Sequence, residues 1–178
     1  MSGLVRKFTF QSPAGADSNG TGYGIHFSAD IHPWAALFDG TAANPDPTPL
    51  EKSRLLAQVA FGKGFSTYLE GVGSGLDAAV DASGNVDVLP ITIWTIGYEH
   101  WWARSWTSTF SYGQMDISGS GALPGTSPIG TRSVMGNLMW LPMPNMWVGM
   151  EFQWGERKDV NGQNGEAQRI MWGIHYAY

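Results

Sequence analysis

MWVGMEFQWGERKDVNGQNGEAQRIMWGIHYAY, residues 146–178, decides the fold. Through 146–157, Met146, Val148, Met150, Phe152 and Trp154 share one parity, while Gly149, Glu151, Gln153, Gly155 and Arg157 share the other. A polar stretch at 158–166 follows. Ile170, Trp172, Ile174, Tyr176 and Tyr178 then alternate with Arg169, Met171, Gly173, His175 and Ala177. Side chains of a β-strand point alternately to opposite faces, so a period of two with one apolar parity marks a strand between two different environments. Two such runs around a Gly- and Asn-rich connection predict an antiparallel hairpin.

The same alternation continues upstream, and helical periodicity is nearly absent. From Tyr23 the odd positions read Tyr23, Ile25, Phe27, Ala29 and Ile31, against Gly24, His26, Ser28 and Asp30. Similar runs cover residues 4–12, 54–62, 91–101, 104–115 and 132–141, about eight strands in all. In the first of these, Phe8 and Phe10 read as the apolar side and Lys7, Thr9 and Gln11 as the polar side. Connections at about 101–104 and at Pro142-Met143-Pro144-Asn145 are short. Those at 13–20, 63–89, 116–131 and 158–166 are long and polar. The segment 32–53 sits where a short turn is due. Its Thr48-Pro49-Leu50-Glu51 has the form of a capping box with Pro at the first helical position, predicting a short helix from Pro49 to about Arg54.

A chain of 178 residues is one domain by length. Nine Trp and 14% charged residues exclude disorder, which needs high charge and few aromatics. The absence of Cys excludes a disulfide scaffold and a Cys-based zinc site. A net charge of -5 argues against a nucleic-acid partner, which would meet a basic surface. The longest charge-free stretch, 133–150, is broken by Pro142, Pro144 and Asn145, so it reads as two strands and a turn. The opening MSGLVRKFTF has no apolar signal-peptide core. The expectation is therefore a cytosolic chain, or else a mature form or fragment of a longer precursor.

The apolar parity is rich in Trp, Tyr, Phe and Met, and several stripes end in Tyr or Trp. A soluble core is built mainly from Leu, Ile and Val, and nine buried indoles would each need a partner for N–H. Lipid makes no such demand, and aromatic girdles are a property of membrane interfaces. The fold expected is an all-β, transmembrane, antiparallel up-and-down β-barrel over residues 1–178. Its short turns lie at one end and its long loops at the other.

Four stretches, GTGYGIHFSADI (20–31), LAQVAFGKGFSTYLEGVG (56–73), IGYEHWWARSWTSTFSYGQMD (96–116) and residues 136–178, resemble the trimeric outer-membrane porins of the DcaP-like family of Gram-negative bacteria. The resemblance covers the family's carboxyl-terminal half. It implies half of a sixteen-stranded barrel, an outer-membrane location, a homotrimer among membrane lipid and lipopolysaccharide, and a leaning toward small anionic solutes. Tyr178 matches the terminal aromatic of such barrels. Segment 32–53 is longer than the family's turn.

The candidate pore-lining residues are Lys7, His26, Asp30, Arg54, Glu99, Glu151, Arg157, Arg169 and His175, all on the polar parity as read. Four of these are basic and three acidic, and basic rings favour anions; the acids of the 63–89 loop would reverse that balance if the loop folds inward. Arg157 and Arg169 flank one loop, with Glu151 two alternations deeper as a possible anchor. The other chemistry is thin. His26, Ser28 and Asp30 stand in line along one strand, which does not converge on a reacting atom as a catalytic triad must. Gly62-Lys63-Gly64 lacks phosphate-loop spacing, Asp77, Asp81, Asn85 and Asp87 miss the calcium-loop spacing, and His32, His100 and His175 form no ligand set. No catalysis, metal or cofactor is called for. Passive diffusion of small hydrophilic solutes is the reading; a non-conducting eight-stranded barrel, a soluble ligand-binding barrel and a barrel hydrolase are the alternatives.

Overall fold

A computed structural model of the chain describes residues 1–11, 17–38, 48–68, 75–81 and 83–178. Eight long strands form one antiparallel sheet: β1 (Ser2–Gln11), β2 (Asp17–Ile31), β3 (Arg54–Lys63), β6 (Pro90–Ala103), β7 (Trp106–Ile117), β8 (Pro128–Met143), β9 (Met146–Asp159) and β10 (Asn164–Tyr176). Each pairs with the next, so the sheet is a meander whose edges are β1 and β10. Between β3 and β6 lies a two-stranded ribbon, β4 (Ala78–Val80) with β5 (Val86–Val88).

The strands are longer than the sequence reading has them. β2 reaches back to Asp17, and β9 and β10 leave only 160–163 between them, so 17–20 and most of 158–166 are paired strand. The extra length carries polar residues on both parities, among them Ser18, Asn19, Lys158 and Asp159. These give no alternation to read, yet their backbone groups still pair.

The irregular segment at the short-turn end holds α1 (Pro33–Phe38) and α2 (Pro49–Lys52). The capping box is present. The Thr48 hydroxyl accepts from the Glu51 N–H, and the Glu51 carboxylate accepts from the Thr48 N–H. These bonds hold the Glu51 carboxyl below its ordinary value. The helix stops at Lys52, and Ser53 leads into β3, its hydroxyl oxygen accepting from the Trp101 N–H at 2.9 Å.

Register sorts the sheet into two faces. Rows such as Ser28↔Gln58↔Thr95↔Gly113↔Ser133↔Gly155 run across one face. Tyr98↔Phe110↔Gly136↔Phe152↔Ile170 runs across the other. The aromatic face is exposed, with Trp172 at 81% and Ile170 at 71%.

β1 corrects the reading by one residue. Its register, Ser2↔His26 through Lys7↔Thr21, puts the even residues Leu4, Arg6, Phe8 and Phe10 on the polar face. Lys7 lies on the aromatic face instead. The alternation was read from the two Phe, but the Phe8 ring fills the hollow beside Gly22 and Gly64 on the polar side, and the Arg6 guanidinium lies over it at 4.3 Å from the ring centroid.

The buried core sits on the polar face, at the long-loop end. Ala60, Ile91, Met115 and Ile117 of the sheet meet Phe65, Leu76, Ala79 and Leu89 of the β3–β6 connection. That connection thus folds back over the sheet, which its polar composition did not suggest. Glycine makes the approach possible: a Cβ on Gly20 would stand 2.5 Å from Val88, and one on Gly24 would stand 3.0 Å from Phe65. Full burial of an aliphatic side chain such as Leu89 stabilises by roughly 1.5–3 kcal/mol.

Candidate functional site

Eight of the nine sequence-predicted lining residues share the polar face. His26 and Asp30 come from β2, Arg54 from β3, Glu99 from β6, Glu151 and Arg157 from β9, and Arg169 and His175 from β10. Lys7 does not. Strand alternation alone places each of them, since every one lies an even number of residues from a polar neighbour on its own strand.

At the short-turn end Arg54 joins two carboxylates. Its Nη1 donates to Asp30 Oδ2 at 3.0 Å and its Nη2 to Glu99 Oε2 at 3.4 Å. Nε lies 3.2 Å from Glu99 Oε1, close enough for charge attraction, although its N–H is not aligned as a hydrogen bond. The Trp101 indole donates to Glu99 at 3.1 Å. One guanidinium between two carboxylates leaves this end of the face negative.

At the long-loop end Arg157 Nε donates to Asp159 Oδ1 at 2.6 Å, and its Nη2 donates to the Thr126 carbonyl. Arg169 has a different environment. Its guanidinium donates to the side-chain oxygen of Gln153, whose amide in turn donates to Glu151 Oε1 at 2.5 Å. Glu151 is therefore an anchor for Arg169 through Gln153. Arg157 and Arg169 are not brought together; they stand opposite Gly165 and Gln153, two alternations apart. Among the described residues, Arg169 is the polar-face arginine whose partner is neutral.

His26 meets the Ser2 hydroxyl at 3.5 Å, and His175 stacks on Trp147 with centroids 5.4 Å apart. No triad forms around His26, Ser28 and Asp30. Among the described residues no three His, Asp or Glu gather as metal ligands. Asp81 instead accepts from the Ser83 and Asn85 N–H groups of its own turn. The bonds from Asn85, first the backbone and then the side chain, hold its carboxyl below the ordinary value.

The sequence reading missed Arg6 and its partner Asp77, 71 residues away, with Nη1 to Oδ2 at 3.0 Å. Asp77 also accepts from the Ser66 hydroxyl at 2.8 Å, from the Thr67 N–H at 3.2 Å and from the Thr67 hydroxyl. Burial pushes the Asp77 carboxyl up. The Thr67 and Ser66 bonds and the Arg6 charge outweigh it and hold the carboxyl below its ordinary value. This cluster ties the folded-back connection to β1. The glycines at 20, 22 and 24, alternate positions on a polar parity, were the available signal, because bare backbone at that spacing invites another segment to approach.

No protein-family model matches the sequence, and no curated protein matches it. A solved structure does: the outer membrane channel DcaP of Acinetobacter baumannii, at 18% identity with a TM-score of 0.72. The chain shares the antiparallel-sheet fold of the matched part of that structure. The match takes in 99% of this chain and 51% of DcaP, so the chain spans about half the length of DcaP. A two-faced antiparallel meander is what such a half would contain.

Proposed function

We propose that the chain forms wall of an outer-membrane channel for passive diffusion of small hydrophilic, anionic solutes. Its polar face meets water and its aromatic face meets lipid. The complete barrel has sixteen strands and assembles as a homotrimer in a Gram-negative outer membrane. The register carries this reading: one face gathers Arg, Glu, Gln, Ser, Thr and Gly, and the other gathers exposed Trp, Tyr, Phe and Ile. A soluble sheet would cover the second face. A membrane sheet must leave it bare and must pair its backbone groups, as the meander does along most of each ladder between its two edges.

The aromatic face adds a second support. Its strand cations Lys7, Lys63, Arg132 and Lys158 all stand at the long-loop end. Tyr23, Phe61, Tyr112 and Trp154 lie nearer mid-sheet on the same strands or their neighbours. Arg132 is 3.7 Å from Glu156. With the long loops outside the cell, cations beyond an aromatic girdle suit the phosphates of lipopolysaccharide.

Anion preference rests on Arg169. The other polar-face arginines, Arg6, Arg54 and Arg157, face carboxylates, whereas Arg169 rests on a neutral amide, and its forked donors match a carboxylate. Arg169→Glu in the full assembly is expected to move the reversal potential in a salt gradient toward cations. The shift should shrink near ~1 M salt, where the screening length is about 3 Å. An unmoved reversal potential at low salt would make Arg169 a structural residue and remove the anion preference.

A further inference from the structure

The polar face carries a recess just short of the folded-back connection. Register lines up His26, Ala60 and Ile93 across β2, β3 and β6. Leu4 and Gly24 follow on the long-loop side, where the Phe65 ring covers Gly24. Gln58 and Thr95 stand opposite each other on the short-turn side. Gly24 and Ala60 raise little or no side chain among these longer groups, and a hollow of about 500 Å³ results. Small-molecule sites span roughly 300–1,000 Å³.

Its chemistry is divided. Leu4, Ala60, Ile93 and Phe65 supply a hydrocarbon floor, and Tyr68, 63% exposed, borders it from the connection. His26, Gln58 and Thr95 supply hydrogen-bonding groups. Gln58 and Thr95 are exposed, and neither side chain has a hydrogen-bond partner among the described residues. Among the described residues, no Asp, Glu, Lys or Arg lines the recess. Arg6, 5.6 Å from the Tyr68 ring centroid, is held by Asp77 at 3.0 Å.

We propose that this recess binds an uncharged, hydroxylated ring, the chemistry of a monosaccharide, so that the wall takes neutral sugars as well as small anions. The proposal rests on the reading that the polar face meets water. The class of solute follows from the lining. An ionised solute would lose water there and find no unpaired opposite charge to replace it. A wholly apolar solute would strip water from Gln58 and Thr95 and leave them unpaired. A sugar ring has C–H faces for Tyr68, Leu4 and Ile93. The hydroxyls around its edge meet Gln58, Thr95 and His26, and each hydroxyl both donates and accepts.

The test uses the full chain in dimethyldodecylamine oxide micelles with methyl β-glucoside as the probe. Saturation-transfer difference NMR, corrected for micelles alone, detects weak binding and needs no conduction. Transfer to the glucoside ring protons is expected from the wild type. It should fall several-fold in Tyr68→Ala and in Gln58→Leu, exposed positions on different elements, while circular dichroism shows the sheet intact. Should one variant fail to fold, the other decides. Benzoate, a ring of similar size that bears a charge, should show no transfer that depends on either residue. No transfer to the glucoside, or transfer that the variants keep, overturns the site. Benzoate transfer that is lost in Tyr68→Ala or Gln58→Leu overturns the class of solute. The channel reading is decided separately: a full assembly that conducts no ions refutes it and leaves the glucoside result standing.

Discussion

Trp172→Arg is expected to prevent stable insertion into outer-membrane lipid. Trp172 is central in the β10 stripe Ile170, Trp172, Ile174, Tyr176 and is 81% exposed. An arginine near the midplane of a membrane barrel costs about 2–4 kcal/mol, a large part of a marginal stability. Gln153→Arg, on the polar face of the neighbouring strand, adds charge where water would solvate it, and insertion should survive. The comparison is read as the fraction of protein that shows heat-modifiable migration after refolding into vesicles. Equal loss for both variants would mean that the aromatic face is a soluble core.

Asp77→Asn is expected to loosen the connection folded over the polar face without unfolding the sheet. The variant keeps the shape but removes the charge that faces Arg6 and receives the Ser66 and Thr67 hydroxyls. Hydrogen bonds to a charged group contribute about 1.5–3 kcal/mol, so amide exchange in this segment should speed up about ten- to hundred-fold. Leu89, whose N–H donates to the Asp77 carbonyl at 3.0 Å, and Thr67 are the amides to follow. Because the folded Asp77 carboxyl lies below its ordinary value, its contribution is fully present above the unfolded value of about 3.9. It is lost as pH falls through the lower folded value. Wild-type exchange rates, corrected for the intrinsic pH effect, should therefore stay level from neutrality to about pH 5 and rise only below about pH 4. Unchanged exchange in the variant would assign the hold to Phe65, Leu76 and Leu89 alone.

Much of this architecture was legible because alternation is a local property. Wherever one parity was aromatic and the other polar, as in β2, β9 and β10, the face of each lining residue followed from counting. The Thr48–Glu51 cap was legible for the same reason. β1 was not, because Phe8 and Arg6 answer to Gly22, Gly64 and Asp77, partners known only once the register is set. The pairing of Arg157 with Asp159 rather than with Arg169 was hidden too, since parity gives a face but not a rotamer. The inward fold of the 63–89 connection stood only as an open alternative, because its seat is a set of glycines, and their absent side chains contribute nothing to a hydrophobic pattern.

The chain contains no cysteine, so single cysteines can be placed along β10 with no background. In vesicles, Arg169→Cys, Met171→Cys, Gly173→Cys and His175→Cys should react with a water-soluble, membrane-impermeant maleimide. Ile170→Cys, Trp172→Cys and Ile174→Cys should resist it until detergent dissolves the bilayer. Alternation of reactivity with a period of two, the polar parity reactive, is the result this account requires. Reactivity on the Trp172 parity, or equal reactivity on both, would contradict it.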